Sequence, residues 1–131
     1  MNKRPRIIPN LTIKKRELIK TKKFKTWKYL GDPLNAVKIF NEKCADEIIL
    51  TDISGDSPDF EFIEQIVSEC FMPVCYGGGI RSVADIQKIM SLGVEKVCLR
   101  TLVMEDDHEL VSAINNFGSS AIVASLDIKE T

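Results

Sequence analysis

The sequence predicts an α/β fold, a parallel sheet covered by helices, from three observations. Apolar runs that read as strands alternate with helix-patterned segments along the 131 residues. The last three strand-to-strand intervals are nearly equal, at 26, 23 and 25 residues. The strand candidates are apolar along their length, as in sheets buried on both faces. Two architectures satisfy this pattern, an open doubly wound sheet and a (β/α)8 barrel. Leu11-Thr12-Ile13-Lys14 reappears 115 residues later as Leu126-Asp127-Ile128-Lys129. That makes the first and fifth strands equivalent and favours a TIM-barrel type, of which this chain holds four βα units and strand 5.

Residues 6–13 (RIIPNLTI) form the first strand candidate. Residues 14–30 read as a basic loop, within which ELIKT and KKFKTW can pair as a short hairpin. A helix over 31–44 has Asp32 to cap it, Pro33 in its first turn, and an apolar stripe of Ala36, Val37, Ile39 and Phe40. A strand at 47–53 precedes a helix at 59–70 whose first turn is acidic, which suits the helix dipole. A strand at 73–79 runs into a helix at 82–93, capped by Ser82 with Asp85 three residues on and stopped by Gly93. The strand at 96–100, a helix at 106–118 closed by Gly118, and a strand at 121–128 complete the order.

A chain of this length supports one core, so residues 1–131 are expected as a single unit. No apolar run is long enough for a membrane span, and the basic N-terminus lacks the apolar stretch of a signal peptide. Cys44, Cys70, Cys75 and Cys98 have no metal-like spacing and are expected as buried free thiols in a reducing cytoplasm. No motif asks for a cofactor. The net charge of −1 conceals an imbalance: residues 1–30 hold eleven Lys or Arg and one acid, Glu17. Such a block can bind nucleic acid. With so few interleaved aromatics, a solvated face or a cover over a small anionic ligand fits better.

Ligands bind at the carboxyl ends of parallel strands in both architectures. The polar residues there are Thr12, Asp52, Gly77-Gly78-Gly79, Arg100 with Thr101, and Asp127. Bare glycines ahead of a capped helix expose backbone N–H groups to a phosphate. They also serve any tight turn. Asp52 and Asp127 end two strands, where paired carboxylates can exchange protons with a substrate. Equally, each can cap its loop. His108, beside Glu105 to Asp107, reads as a surface residue at a helix start.

RIIPNL, LIKT, the GDP before the first helix, ADEIILTDI, YGGGIRS and EKVCLRT occur in that order. Together they resemble the cyclase subunit of imidazole glycerol phosphate synthase, over the first half of that family's barrel plus strand 5. The resemblance implies a half-barrel or truncated barrel and a glutaminase partner whose ammonia crosses the barrel to a phosphosugar-nucleotide substrate. It also implies two catalytic aspartates. Asp127 matches one; Thr12, which cannot ionise, stands at the other. Lys20 matches a loop lysine near the substrate. Gly79 and Thr101 match the first phosphate site, where Arg100 replaces an asparagine. Arg6, Glu47 and Lys96 match three charged residues that ring the ammonia entrance, and Glu95 matches an acid at the glutaminase-docking rim. An altered Asp with an intact entrance resembles the branch that relays ammonia to acetamidino-sugar formation in surface-polysaccharide synthesis. The alternatives are a cyclase of histidine biosynthesis and a non-catalytic half-barrel that binds a phosphorylated ligand. A half-barrel exposes apolar surface, so self-association is also expected.

Overall fold

The computed structural model describes residues 4–22, 26–100 and 107–126. Its strands are β1 (Asn10–Lys14), β2 (Glu17–Lys22), β3 (Thr26–Gly31), β4 (Ile48–Asp52), β5 (Val74–Gly77), β6 (Lys96–Leu99) and β7 (Ile122–Ala124). Its helices are α1 (Pro33–Glu42), α2 (Phe60–Glu69), α3 (Val83–Ser91) and α4 (Asp107–Phe117). One sheet contains all seven strands, in the order β3-β2-β1-β4-β5-β6-β7. Pairings from β1 through β4, β5 and β6 to β7 are parallel.

This order separates the two architectures. A doubly wound sheet reverses its strand order and carries helices on both faces. Here the parallel strands advance in one direction, so right-handed crossovers place their helices on one side. The packing agrees. Leu11, Ile13, Ile48, Leu50, Val74, Tyr76, Val97 and Leu99 share one strand parity and form a single buried cluster with helix residues. Those partners are Val37 of α1, Ile63 and Ile66 of α2, Ile86 and Ile89 of α3 and Ala113 of α4. The fold is that of the first four βα units and fifth strand of a (β/α)8 barrel, and the opposite sheet face corresponds to the barrel interior.

Local signals account for the helices. Asp32 accepts from the Leu34 amide at 3.0 Å, and Ser82 from the Asp85 amide at 3.2 Å. Gly93 follows α3 with φ 106°, the left-handed setting that glycine adopts without strain. The structure differs from expectation in three places. Residues 6–9 precede the sheet, and β1 begins at Asn10. Ile39 lies outside the buried stripe of α1, 54% exposed, because its helical angle carries it past Val37. The basic segment does pair as the expected hairpin, β2–β3, and extends the sheet from β1. Of the cysteines, Cys75 is buried, Cys70 and Cys98 are half-buried, and Cys44 is exposed at φ 56° after α1. Burial pushes the Cys75 thiol up to about 12, with the charges of Cys98 and Glu47 adding to the rise and Lys96 opposing it. No helix among the described residues is long and apolar enough to cross a membrane.

Candidate functional site

The two ends of the parallel strands bring together different sets of residues. At the amino ends, Glu47 immediately precedes β4 and is 4% exposed. A carboxylate this enclosed needs charged partners. Arg6 Nη2 donates to Glu47 Oε2 at 3.1 Å, and Lys96 Nζ lies 3.6 Å from Glu47 Oε1. The sequence scatters these residues over ninety positions, yet strand pairing gathers them at one spot. The preceding segment is fixed beside them. Arg4 pairs with Asp46 at 3.0 Å, and the Ile7 amide donates to Asp46 at 2.7 Å. That amide, and then Arg4, hold the Asp46 carboxyl below its usual range. Glu95 is exposed, and its amide donates to the Val74 carbonyl.

Beyond the charged cluster lies the sheet face opposite the helices. Paired residues in a parallel sheet share a face. Asn10, Ile49, Cys75 and Lys96 therefore form one row, and Thr12, Thr51, Gly77, Cys98 and Val123 the next. Thr51 Oγ1 donates to Asn10 Oδ1 at 2.9 Å. Thr12 is half-buried in this second row, among small and weakly polar neighbours. Sequence reasoning missed Asn10, Thr51, Cys75 and Cys98 as lining residues. Strand parity, once the register is known, identifies them.

The carboxyl ends are organised by a hairpin tip. Lys15 and Arg16 form the two-residue turn between β1 and β2, with φ 49° and 64°. This is the backbone of a primed hairpin turn, usually given to Asn and Gly. Its strain is offset by contacts with the β4–α2 loop. The Lys15 amide donates to Ser54 Oγ at 2.9 Å, and Arg16 grips Asp59 through two bonds of 2.7 and 2.9 Å. Asp59 also caps α2 through the Phe62 amide at 3.1 Å. The Arg16 bond holds the Asp59 carboxyl below its usual range, and Asp59 in turn raises Arg16. A cleft of about 270 Å³ lies here, lined by Lys15, Arg16, Asp52, Ser54, Asp56, Ser57 and Asp59.

Within that cleft Asp52 has the parity of Ile48 and Leu50, and it pairs with Ile13 on the helix-covered side. Its Oδ1 accepts from the Ser54 amide at 2.9 Å and the Ser54 hydroxyl at 2.5 Å. Asp52 is thus the cap of its own loop, and Thr12 faces the other side of the sheet. Lys20 is exposed on β2 opposite Lys28, outside the residues lining the cleft. The three glycines answer close packing. A Cβ at Gly77 would stand 2.9 Å from Cys98 Cβ, at Gly78 2.4 Å from the Asp52 carbonyl, and at Gly79 2.1 Å from the Asp56 carbonyl. Gly78 and Gly79 also hold φ of 135° and 68°. At the start of α3, Arg81 donates its amide to Asp85 at 3.1 Å and Val83 donates to Glu109 at 3.0 Å. Protein carboxylates occupy those donors, a use that the sequence did not signal. Arg100 is exposed at the end of β6; Thr101 and Asp127 lie outside the described residues. Among the described residues no cluster of His, Cys, Asp and Glu is placed to hold a metal.

Comparison with known proteins addresses the lineage of this arrangement. The family model described as "Histidine biosynthesis protein" matches residues 6–131. The chain belongs to that family. A Vibrio vulnificus protein provisionally named imidazole glycerol phosphate synthase subunit hisF3 is 50% identical over 131 residues, covering 97% of this chain and 50% of that protein. A Pseudomonas aeruginosa protein provisionally named as subunit hisF2 is 47% identical, covering 97% and 52% respectively. Subunit HisF of Lactococcus lactis subsp. cremoris is 36% identical, covering 95% and 49%. The chain spans about half the length of the curated relatives it matches.

Proposed function

We propose that this family member serves as the amino-terminal half of a cyclase-subunit-like barrel in a glutamine amidotransferase. Its amino-end face takes ammonia from a glutaminase partner. Its opposite end handles a phosphorylated sugar or sugar nucleotide, in the formation of acetamidino sugars for surface polysaccharide. The observation that carries this reading is the buried Glu47 bridged to Arg6 and Lys96 at the amino ends. A carboxylate between two cations beside the barrel axis offers ammonia hydrogen-bond acceptors and donors as it leaves a partner. The weakly polar rows above it, with Asn10, Thr51 and Thr12, supply a path of small side chains. Phosphate binding is assigned to Gly79, Arg100 and Thr101, with Gly77 and Gly78 shaping the turn. Acid–base work is assigned to Asp127, with Asp52 and Lys20 in supporting places.

Thr12 favours amidotransfer over ring closure. A general acid–base group contributes roughly 100- to 10,000-fold, and a threonine cannot replace one. A second reading, a cyclase and lyase of histidine biosynthesis, rests on the family match. One assay separates them: turnover of the imidazole glycerol phosphate synthase substrate with ammonium salt as nitrogen source. The proposal expects background rates, and vigorous turnover establishes the second reading. If neither turnover nor a response from a glutaminase is seen, the chain is a phosphorylated-ligand binder without catalysis.

A further inference from the structure

The β2–β3 hairpin carries different chemistry on its two faces. Lys20 pairs with Lys28 and Lys22 with Thr26, so one face is basic. Ile19 pairs with Tyr29 and Thr21 with Trp27, so the other is aromatic. Lys14 pairs with Glu17, which shares the parity of Ile19 and Thr21. Lys14 also has the parity of Thr12, so the aromatic face continues the sheet face opposite the helices. The contact agrees, with Lys14 Nζ 3.3 Å from the Trp27 ring centroid. The β2 strand pairs with β1 only through Leu18 and Glu17, and then with β3 alone. The aromatic pair therefore stands at the carboxyl rim, beside the end of β1.

Trp27 is 58% exposed and Tyr29 60%. Same-face residues of a strand stand roughly 7 Å apart, and a carbon contact takes about 3.5 Å. The pair leaves room for one flat ring to stack. Ile19, across from Tyr29, is buried and gives the platform an apolar flank. Among the described residues no ion pair engages Lys14 or its neighbour Lys15. An open ammonium beside an aromatic face suits a flat ring joined to an anion, which is a nucleoside phosphate. A single-stranded nucleic acid instead stacks successive bases along a basic groove. Here two rings offer room for one base, the exposed acid Glu17 lies opposite Lys14, and Lys20, Lys22 and Lys28 are on the reverse face.

We propose that Trp27 and Tyr29 form a stacking platform for the base of a nucleoside diphosphate, with Lys14 facing its phosphates. This rests on the sugar-nucleotide reading above. Trp27 is the single tryptophan of the chain, so its fluorescence reports on the site directly. The test is titration of the 131-residue chain with uridine diphosphate, by fluorescence and calorimetry, with ribose 5-phosphate as the probe that lacks a base. Uridine diphosphate is expected to quench Trp27, and ribose 5-phosphate to leave it unchanged. Trp27→Leu and Tyr29→Leu should each weaken calorimetric binding of uridine diphosphate about tenfold, the scale of one base–aromatic stack. Trp27→Phe, which keeps an aromatic face, should stay within about threefold. Ile39→Asp, on the outer surface of α1, should change nothing. Thermal melts check that the variants fold. Equal affinity of both folded leucine variants and the parent chain overturns the platform and leaves the sugar-nucleotide reading standing. Binding of neither probe by the parent chain overturns both. Ribose 5-phosphate bound as tightly as uridine diphosphate, with the same dependence on Trp27, overturns the assignment to a base. Polyuridylate bound far more tightly, with a steep salt dependence, overturns it in favour of nucleic acid. A Trp27 emission shift that follows protein concentration without nucleotide overturns it by assigning this face to a contact between copies.

Discussion

The two ends of the same five parallel strands use charge in opposite ways. At the amino ends, residues far apart in sequence converge on one buried carboxylate, and each charge has a partner across the sheet. At the carboxyl ends, the carboxylates serve their own loops: Asp52 binds Ser54, and Asp59 binds Arg16 while capping α2. A buried ion cluster costs desolvation and rarely stabilises a fold by itself. Here it is held together by strand pairing, with water reaching Arg6 and Lys96. Loop caps at the other rim stabilise locally and leave the chemistry there to few groups.

The largest expected effect sets the covered sheet row at the amino end against the surface loop beside it, and concerns thiol reactivity. Cys75 sits in the row with Lys96, its thiol raised to about 12 by burial. Cys44 is exposed. Only the thiolate reacts, and a buried thiol is also shielded, so iodoacetamide at pH 8 should label Cys44 at least about tenfold faster than Cys75, read by peptide mass spectrometry. Comparable labelling would mean that the interior row is open. Next comes Gly78→Ala at the carboxyl rim. Its Cβ would collide with the Asp52 carbonyl at a φ of 135°, and the loss should be about 2–4 kcal/mol in urea unfolding. A neutral result would show that the rim yields easily.

Glu47→Gln tests the amino end. It leaves two cations without their carboxylate, but Arg6 and Lys96 are 55% and 30% exposed at their side chains. Water offsets part of the cost, so about 1–2 kcal/mol is expected rather than the value for a sealed pair. The smallest effect is Asp59→Asn, which keeps a capping oxygen and loses the negative charge that faces Arg16. A few tenths of a kcal/mol at neutral pH is expected for so exposed a pair. The sign with pH follows from the Asp59 carboxyl being held below its usual value. Its contribution is complete above about pH 4, the ordinary carboxylate pKa. It is lost as pH falls through the lower folded value. The variant should lack that part of the acid loss.

Much of this was legible in the sequence because the period of apolar residues is strong. The helices start where Asp32 and Ser82 cap them, and the parallel strands are apolar enough to stand out. The β2–β3 hairpin was legible as a pairing of ELIKT with KKFKTW, but its place in the main sheet was not, because only Ile19 of its residues is buried. Arg6, Glu47 and Lys96 were visible as charges flanking strands. The direction of Asp52 was not, since a strand-end carboxylate can turn to either face and only the register with Ile13 decides it. The glycine run was visible as a backbone requirement, but the carbonyls of Asp52 and Asp56 that crowd it come from the end of β4 and the loop after it.

The account's central claim is that a working amino end is joined to an altered carboxyl end. One paired assay tests it: glutamine hydrolysis by the Vibrio vulnificus glutaminase subunit with this chain added, beside ammonium-driven turnover of the imidazole glycerol phosphate synthase substrate. The account expects hydrolysis to rise and turnover to remain at background. Turnover at the rate of the Lactococcus HisF subunit, or hydrolysis indifferent to the chain, would contradict it.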